Sequence, residues 1–518
     1  MDASCVLTRS PDYVTCVPKK SIIGESERTG ARLSEVLNKR IDEDTFLKMR
    51  APVLALWPTG REVELEEAVE YQRRQPPGRS FMKVIQKLHD DGRTVVFPRA
   101  GTPVLEDQIS LCRKLEASGI PLIPVTTDSY TRLLQMEKAE AALEESKRTG
   151  RAMLNGFPLI NHGVRNTRKI VESVQNGAFS PRLSRLSYPL ASEIAFASGM
   201  TGIALSAFVS FGAYEKKSTL AECIAQCQYV ARLMGYYADQ GIIITADHHG
   251  WIPTSVFPLS VNIATMIADA LICAEQGVRS VLPLVHAMGN LAQDLAWVRV
   301  APRLMREYLD RLGYSDVIIP GVTAAQTPLY PMPQDVGSAF AYLCYSAIFA
   351  ALGEVETLFV RTIDEGAGIP TEESHAVSYA AANWLFEVVR GQKINLSIEG
   401  MDDEERIAEM EVRSILDRLL EIGDGDIVVG SIRGVESGII DSSFSPNIHA
   451  KDNVLGAKDR SGAVRYVEFG NLPIPEEAKE FHLRKIVERA AAEQRKIDYT
   501  VMVQDFWSFS KGKLVGRG

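Results

Sequence analysis

Three arginines stand where predicted strands end, and their shared position is the first indication of chemistry in this chain. Arg99 ends the apolar run RTVVFPRAG, Arg132 follows the run PLIPVTTDS, and Arg182 ends the short run FSPRL. An arginine side chain is planar and always charged, and it can hold a carboxylate through two parallel hydrogen bonds. Three of them at strand ends predict a binding site for a small substrate with two carboxylates. The alternative is that each arginine makes a structural ion pair.

A second group combines a carboxylate with imidazoles. Asp247, His248 and His249 close the run GIIITADHHG, and His286 lies in the run SVLPLVHAMGN. Such side chains at strand ends can hold a catalytic metal ion, but they also occur as hydrogen-bonded loop residues, and both interpretations stay open. Because neighbouring strand residues point to opposite faces, one of the two adjacent histidines is expected to face away. Further polar residues at predicted strand ends are Asp128, Tyr130, Asn155, Asn290, Arg361, Asp364 and Glu365.

Several familiar catalytic motifs are missing from the chain. We find no glycine-rich phosphate loop, no G-x-S-x-G nucleophile motif and no paired CxxC motifs. From the residues alone, the prediction therefore stops at an enzyme that acts on a small acidic substrate.

The elements that must position these residues repeat along the chain. From about 90 to 370, short apolar runs alternate with stretches whose apolar residues recur at helical spacing, such as 220–240. Sustained alternation predicts a parallel sheet covered by helices, and a (β/α)8 TIM-type barrel is the natural fit. A doubly wound sheet is the alternative, although no GxGxxG follows the first strand. Nine candidate strands, one more than the barrel needs, lie at 93–101, 121–129, 152–160, 179–183, 199–205, 241–250, 280–290, 316–322 and 357–366.

Changes in composition and in hydrophobic periodicity along the chain also predict its domains. Residues 1–45 are mixed and polar and indicate an N-terminal extension, and 46–400 form the β/α barrel catalytic domain. Past about 400 the pattern changes, since 401–425 has the spacing of a charged amphipathic helix and 427–441 resembles a strand with glycine interruptions. We therefore expect a smaller α+β region over 401–518.

Composition excludes some classes of protein. The 518 residues carry a net charge of -9, which argues against a general binder of nucleic acid or anionic membrane. The 7 cysteines are scattered, which is typical of a reducing compartment, and Cys223 and Cys227 are better explained as buried small side chains than as metal ligands. Neither a secretion signal nor an apolar run of about 20 residues is evident, so we expect a cytoplasmic protein.

Several long phrases of the sequence resemble one family. In order along the chain they are WPTGREVELEEAVEYQ (57–72), PRAGTPVLEDQISL (98–111), TTDSYTR (126–132), LNGFPLINHGV (154–164), AEQGVRS (274–280), GNLAQDLAWVR (289–299), AGIPTEE (367–373), VRYVEFGNLP (464–473) and KGKLVGR (511–517). From about residue 50 to the C-terminus, they resemble the epsilon subunit of glutamate mutase, the methylaspartate mutase E chain.

The resemblance implies a fold, a cofactor and a partner. It implies a β/α barrel whose mouth is capped by adenosylcobalamin, which in this family is carried mainly by a separate small subunit with a DxHxxG motif. This chain has no such motif, because DHHGWI (247–252) has the wrong spacing. A small cobalamin-binding subunit is therefore expected, in a heterotetramer of two large and two small subunits. The implied activity is the radical rearrangement of glutamate to 3-methylaspartate, or of a related amino or dicarboxylic acid.

The resemblance also assigns roles to individual residues. Arg99, Arg132 and Arg182 match the family's carboxylate-binding arginines, and Tyr214 matches a substrate-contacting tyrosine. Glu365 matches the carboxylate that holds the adenosyl ribose, and Arg361 stands where the family has lysine. Cofactor-contact positions are occupied by Gly101, Asn155, Met332 and Ile369.

The departures from the family lie on the side of the substrate amine. Ala204 stands where the family has a glutamate that binds the amine, Ser210 replaces a substrate-contacting tyrosine, Leu183 replaces a histidine, and His248-His249 replaces a Pro-Phe pair. An alanine side chain cannot take the glutamate's role, so Asp247, His248 or His249 becomes the candidate catalytic group. Two hypotheses follow: a substrate that differs from glutamate around the amine, or glutamate itself held by substitute contacts.

Two other functions stay open. One is a metal-dependent barrel hydrolase or lyase that uses Asp247, His249 and His286. The other is a non-catalytic scaffold that binds a cobalamin-carrying partner.

Overall fold

A computed structural model describes residues 36–326, 332–367, 371–394 and 396–511, together with a short antiparallel pair of strands, Cys5–Val6 and Val17–Pro18. Ile369, predicted to contact the cofactor, lies outside the described residues.

Eight parallel strands form the centre of the molecule. They are β1 (Val95–Phe97), β2 (Leu122–Thr126), β3 (Ala178–Arg182), β4 (Gly202–Ala204), β5 (Thr245–His248), β6 (Ser280–Ala287), β7 (Thr323–Gln326) and β8 (Thr357–Phe359). Six of them make one curled sheet in the order β1-β8-β7-β6-β5-β4, and β2 pairs with β3. The last strand therefore pairs with the first, with Thr357 opposite Val95 and Phe359 opposite Phe97.

Backbone hydrogen bonds also link the six-stranded sheet to the two-stranded pair on both sides of that pair. Between β1 and β2, the Thr126 amide donates to the carbonyl of Ala100 at 2.8 Å. Between β3 and β4, the Thr201 amide donates to the carbonyl of Phe179 at 3.2 Å. The parallel α/β class predicted from the sequence is thus confirmed as a curled six-stranded sheet with a two-stranded pair beside it.

Helices cover the outside of this sheet. All eight residues of β6 are buried, as expected for a parallel strand with side chains on two covered faces. The helices before the last strand are α1 (Glu43–Leu54), α2 (Leu65–Arg73), α3 (Phe81–Asp90), α4 (Leu105–Ala117), α5 (Ser129–Arg132), α6 (Met136–Thr149), α7 (Leu159–Glu172), α8 (Tyr188–Ala197), α9 (Ala207–Val209), α10 (Leu220–Asp239), α11 (Leu259–Glu275), α12 (Leu291–Arg311) and α13 (Val336–Leu352). After it come α14 (Glu372–Gly391), α15 (Met401–Ile422), α16 (Ile427–Ser437), α17 (Glu476–Glu493) and α18 (Tyr499–Ser508). In the described part of the chain, no helix combines the length and apolar character needed to cross a bilayer.

Two of the nine predicted strands need correction. The run 152–160 is not a strand: it contributes one bridge, Phe157 to Thr127, and Pro158 then leads into α7. Proline has no amide hydrogen to donate to a sheet, which ends pairing there. The run 316–322 makes only the bridge from Ile318 to Ser280, and the strand itself follows at β7.

The prediction of a strand-like segment over 427–441 is also wrong, because this segment begins with the helix α16. The carboxylate of Asp426 accepts hydrogen bonds from the amides of Val428 and Val429 at the start of this helix, and Gly438 ends it at a φ of 78°. An aspartate N-cap and a left-handed glycine outweigh the β-branched residues between them. The strands of this region, β9 (Leu455–Lys458) and β10 (Val464–Glu468), are antiparallel.

Helix α15 fastens the C-terminal part to the strand-helix unit. Residues Arg299, Arg303, Glu307 and Arg311 of α12 pair with Glu405, Glu409, Arg413 and Asp417 of α15. The partners advance by four residues in the same direction along both helices, so the helices lie side by side and parallel. Leu416 of α15 and Leu304 of α12 belong to the same hydrophobic core.

Candidate functional site

A cavity of about 120 Å³ lies at the carboxyl ends of the parallel strands. It is much smaller than the roughly 300–1,000 Å³ of pockets for drug-sized ligands, so it suits a small molecule. Its lining includes four arginines, Arg99, Arg132, Arg182 and Arg361, and two histidines, His249 and His286. The three arginines predicted to act together therefore do converge on one cavity.

A larger cleft of about 1030 Å³ lies at the opposite ends of the strands, lined by residues such as Arg93, Val95 and Arg390. In parallel β/α folds the working residues gather at the carboxyl ends of the strands. The smaller cavity is therefore the better candidate site.

Arg182 is largely buried at the cavity. Its side chain is 11% exposed, and its guanidinium carbon lies 4.4 Å from the ring centre of Phe97 and 5.1 Å from that of Phe359. One nitrogen, Nη1, donates to Oδ2 of Asp247 at 2.7 Å. The other two, Nε and Nη2, have no hydrogen-bond partner among the described residues. Buried polar atoms are normally paired, so these donors are available to a ligand.

Arg132 is set by the short helix α5. The carboxylate of Asp128 caps this helix by accepting from the amides of Tyr130 and Thr131, and Oδ1 of Asn155 accepts from the Ser129 amide at 2.9 Å. Burial and the nearby charge of Arg99 lower the pKa of Arg132, which still leaves a guanidinium charged at neutral pH. Asn155 itself is exposed, is not among the lining residues and acts here on the helix that carries Arg132.

Arg99 and Arg361 share one carboxylate at the mouth. Oε1 of Glu365 lies 2.8 Å from Nη1 of Arg99 and 3.1 Å from Nε of Arg361. The Arg361 amide donates to Oε1 of Gln326 at 2.6 Å, and Nε2 of Gln326 has no partner within the described chain. Glu365 thus orients two of the four guanidinium groups.

Asp247 lies behind the cavity lining and joins its two sides. Its carboxylate is within 2.7 Å of Arg182 Nη1 and 3.3 Å of His249 Nε2. Burial alone would raise the pKa of Asp247, but the charges of His249 and Arg182 and their hydrogen bonds outweigh it and lower the pKa below its usual range. The group is therefore an anion in the folded protein.

The two adjacent histidines do face opposite ways, as predicted from strand geometry. His249 lines the cavity, whereas His248 is fully buried and its Nδ1 lies 2.8 Å from the carbonyl oxygen of Leu205. Burial lowers the pKa of His248 to about 4.

His286 is a buried imidazole with an unmet hydrogen-bonding capacity. It lines the cavity from β6, it is fully buried, and neither ring nitrogen has a hydrogen-bond partner in the part of the chain that the structure describes. Burial, reinforced by the nearby His249, lowers its pKa to about 3, so the ring is neutral at physiological pH. A neutral imidazole offers one donor and one acceptor to a ligand.

Of the residues aligned with substrate contacts, Tyr214 and Ala204 line the cavity. Tyr214 closes a π-helical turn, Ser210–Tyr214, a geometry that is frequent at functional sites. Ser210, at the start of that turn, is buried and its hydroxyl donates to the carbonyl of Ser206 at 3.1 Å, so it does not reach the cavity.

Two predicted cofactor contacts, Gly101 and Met332, are not among the residues that line the cavity. Gly101 approaches β2 so closely that a Cβ there would lie 2.4 Å from the carbonyl oxygen of Thr126. Met332 is buried against Val256, Tyr342 and Met502.

Some lining residues were not singled out from the sequence. Thr126, Gln326 and Phe359 are the last residues of β2, β7 and β8, so their position at strand ends could have identified them. Leu284 and Ile252 could not have been identified in this way, because nothing in the sequence distinguishes them from other buried apolar residues.

A metal centre built on Asp247, His249 and His286 is not supported. Among the described residues, no group of three or more histidine, cysteine, aspartate or glutamate side chains is arranged to hold a metal ion. What the arrangement offers instead is a small chamber rich in fixed positive charge and open donors, which suits an anion with several oxygen acceptors.

Comparison with known proteins gives a family match over most of the chain. The family model described as Methylaspartate mutase E chain (MutE) matches residues 75–518. All four arginines of the cavity, together with Asp247, His249 and His286, lie inside this range.

Individual relatives are similar over nearly their whole length. The glutamate mutase epsilon subunit of Desulfitobacterium hafniense is 34% identical over 490 residues, which cover 93% of this chain and 99% of that protein. The epsilon subunit of Treponema denticola is also 34% identical, over 481 residues that cover 93% and 98% of the two chains. That of Haloarcula marismortui is 32% identical over 487 residues, with coverage of 93% and 96%.

Proposed function

Because the chain belongs to the methylaspartate mutase E chain family, we propose that it is the large catalytic subunit of an adenosylcobalamin-dependent carbon-skeleton mutase. Such an enzyme is an isomerase, and its substrate is glutamate or a related amino or dicarboxylic acid. The observation that carries the proposal is the small cavity in which Arg99, Arg132 and Arg182 converge.

The three arginines bind the two carboxylates of the substrate. Arg182 presents Nε and Nη2, and its contacts with the rings of Phe97 and Phe359 and its hydrogen bond to Asp247 restrict the guanidinium. Arg132 and Arg99 belong to the same lining. A guanidinium that is already restricted loses little conformational freedom on binding, so the substrate is oriented at small entropic cost.

The mouth of the cavity fits the adenosyl group of the cofactor. Glu365 uses Oε1 for both arginines, which leaves Oε2 to accept a ribose hydroxyl, and Gln326 brings an unpaired buried Nε2 to the same rim. When bound, adenosylcobalamin supplies the carbon radical that takes a hydrogen atom from the substrate. Gly101, Asn155, Met332, Arg361 and Ile369 complete the predicted contact set.

The protein's own task is to hold the substrate and exclude water. Apolar walls formed by Leu284, Ile252 and Phe359 leave a reactive species few groups to attack. Of the three candidate catalytic residues, His249 reaches the cavity and contacts substrate, Asp247 positions His249 and Arg182, and His248 supports the adjoining backbone at Leu205.

The architecture extends the same proposal. We take the curled sheet and the β2-β3 pair as the eight strands of one closed barrel, since backbone hydrogen bonds link the two on both sides of the pair. The catalytic barrel then spans 46–400, with 1–45 as an extension and 401–518 as a C-terminal region. A small cobalamin-binding subunit covers the mouth in an assembly of two large and two small subunits. We place the protein in the cytoplasm, where reduced cysteines such as Cys112, Cys273 and Cys344 are usual.

The decisive experiment is anaerobic and spectroscopic. The purified chain would be mixed with a small cobalamin-binding subunit, adenosylcobalamin and a panel of short dicarboxylic and amino acids that includes glutamate. A fall in the cofactor's visible absorbance together with a paramagnetic signal, both dependent on one acid, is the expected result. A proven complex that gives no signal with any acid would contradict the mutase and favour a scaffold.

A further inference from the structure

The walls of the cavity differ in the kind of substrate group they accept. Resting on the proposed function for the reaction, we propose that the substrate is a short dicarboxylic acid with an uncharged hydrogen-bonding group, such as a hydroxyl, where an amino acid carries its ammonium group. His286 is the residue that recognises this group. The proposal stands on the charges and the open hydrogen-bonding positions of the cavity.

The charges of the cavity favour a ligand without an ammonium group. Four guanidinium groups line the cavity, and two carboxylates, Asp247 and Glu365, are paired with them. The guanidinium groups therefore exceed the carboxylates by two, before His249 is counted, and a dicarboxylate without an ammonium group offsets this excess. Glutamate carries an additional positive charge and leaves more of the cavity's charge uncompensated, which is costly in a site that excludes water.

The described lining offers no carboxylate to pair with an ammonium group. No aspartate or glutamate is among the described residues that line the cavity. Ala204 occupies the wall with a methyl group, and the buried carboxylate of Asp247, which is not part of the lining, already lies beside the cationic Arg182.

The hydrogen-bonding groups of His286 match a hydroxyl better than an ammonium group. An ammonium group has three donors and no acceptor, whereas a hydroxyl has one donor and can accept. Neutral imidazole likewise has one donor and one acceptor, and both ring nitrogens of His286 are unpaired within the described chain. A buried donor or acceptor without a partner costs free energy. A ligand group that can both donate to and accept from the His286 ring is therefore preferred.

The test is a direct binding measurement on the full chain, independent of the cofactor. Isothermal titration calorimetry at pH 7 would compare 2-hydroxyglutarate, glutarate and glutamate. We expect 2-hydroxyglutarate to bind about tenfold or more tightly than glutamate, and more tightly than glutarate. In His286→Leu, the preference for 2-hydroxyglutarate over glutarate should disappear.

A charge variant and a matched neutral variant sharpen the test. Ala204→Glu places a carboxylate in the cavity and should reverse the preference, so that glutamate binds about tenfold more tightly than 2-hydroxyglutarate. Ala204→Gln has nearly the same shape without the charge and should not reverse it. Thermal unfolding of each variant would verify that it is folded.

The outcomes separate this inference from the proposed function. Glutamate binding to the parent chain as tightly as 2-hydroxyglutarate would overturn the substrate class, and so would failure of all three acids to bind. If glutamate alone produced the paramagnetic signal, the mutase function would stand and the substrate class would fall. Binding of 2-hydroxyglutarate without any signal in the complete complex would sustain the substrate class and contradict the mutase.

Discussion

Two buried arginines, one in each half of the molecule, show opposite uses of the same side chain. Arg465, in the C-terminal region, is 2% exposed and pairs every guanidinium nitrogen: Nε with Asp459, and both Nη atoms with the carboxylate of Glu404. Arg182, at the cavity, is 11% exposed and pairs only Nη1. Burial is similar, yet one arginine is saturated by the protein and the other is not.

Other polar side chains in the two regions show the same contrast. Arg489, also in the C-terminal region, pairs Nε with Glu493 at 2.8 Å and its two Nη atoms with Asp505 at 2.6 and 3.0 Å. At the cavity, the open nitrogens of Arg182 are joined by those of Gln326 and His286. Unmet donors in a folded protein cost free energy, so their concentration in one place indicates a ligand that completes them. Saturated arginines indicate a structural role.

The largest expected effect comes from breaking the saturated cluster. Arg465→Ala leaves the carboxylates of Asp459 and Glu404 buried without a counter-charge, and we expect a loss of about 3–5 kcal/mol in the free energy of unfolding. Urea unfolding followed by circular dichroism would measure it. Arg465→Met, which keeps most of the side-chain volume, should lose a similar amount, because the missing charge is the cause. If both variants lost less than about 1 kcal/mol in the free energy of unfolding, the saturated arginine would not have the structural role that distinguishes it from Arg182.

Removing a cavity arginine should reduce activity strongly and change stability little. Arg132→Ala should lower kcat/KM by about 3 kcal/mol, or roughly 150-fold, because a charge-assisted contact to substrate is lost. The free energy of unfolding should change by less than about 1 kcal/mol, since the side chain's one described hydrogen bond is a 3.4 Å contact from Nε to the carbonyl of Asp128. Steady-state kinetics and urea unfolding of the same preparation would provide both values.

The control for Arg132→Ala is assembly with the small subunit. Size-exclusion chromatography should show that the variant still forms the complex, because Arg132 faces the cavity. Unchanged turnover in an intact complex would show that this arginine does not bind substrate.

Much of the cavity could be predicted from the sequence, because strand ends were recognisable. Arg99, Arg132 and Arg182 follow apolar runs, and parallel strands bring such positions to one edge. The opposite orientation of His248 and His249 followed from strand geometry alone.

The errors came from places where local chemistry overrides apolar pattern. The run 152–160 has the composition of a strand, but Pro158 ends pairing, and α16 depends on its cap at Asp426 more than on its β-branched residues. The pairing of Arg182 with Asp247, 65 residues away, sets which nitrogens stay open, and no local pattern encodes such a distance.

An intermediate effect is expected from the neutral histidine of the cavity. The pKa of His286 is lowered to about 3 by burial, so between pH 6.5 and 3 the unfolded chain binds a proton there that the folded chain does not. Its contribution therefore lowers stability as the pH falls, by about 2 kcal/mol between pH 7 and pH 5. His286→Asn should lose that part of the pH dependence, as measured by urea unfolding at both pH values.

The parent protein and the variant must be compared as a difference, since other buried groups titrate as well. Asp269, whose pKa burial raises to about 8, acts with the opposite sign and cancels in that difference. If the free energy of unfolding changed equally in both proteins from pH 7 to pH 5, His286 would be protonated in the folded state. It could then not act as the neutral hydrogen-bonding group of the cavity.

The smallest effect is expected where an arginine pair is exposed. Nη1 of Arg299 lies 2.8 Å from Oε1 of Glu405, as close as the buried pairs, but the arginine side chain is 49% exposed and water competes for both groups. A double-mutant cycle with Arg299→Gln and Glu405→Gln should give a coupling of about 0.2–1 kcal/mol that shrinks in 0.5 M NaCl. A coupling of several kcal/mol that salt does not change would mean that distance, rather than burial and saturation, decides what an arginine contributes in this protein.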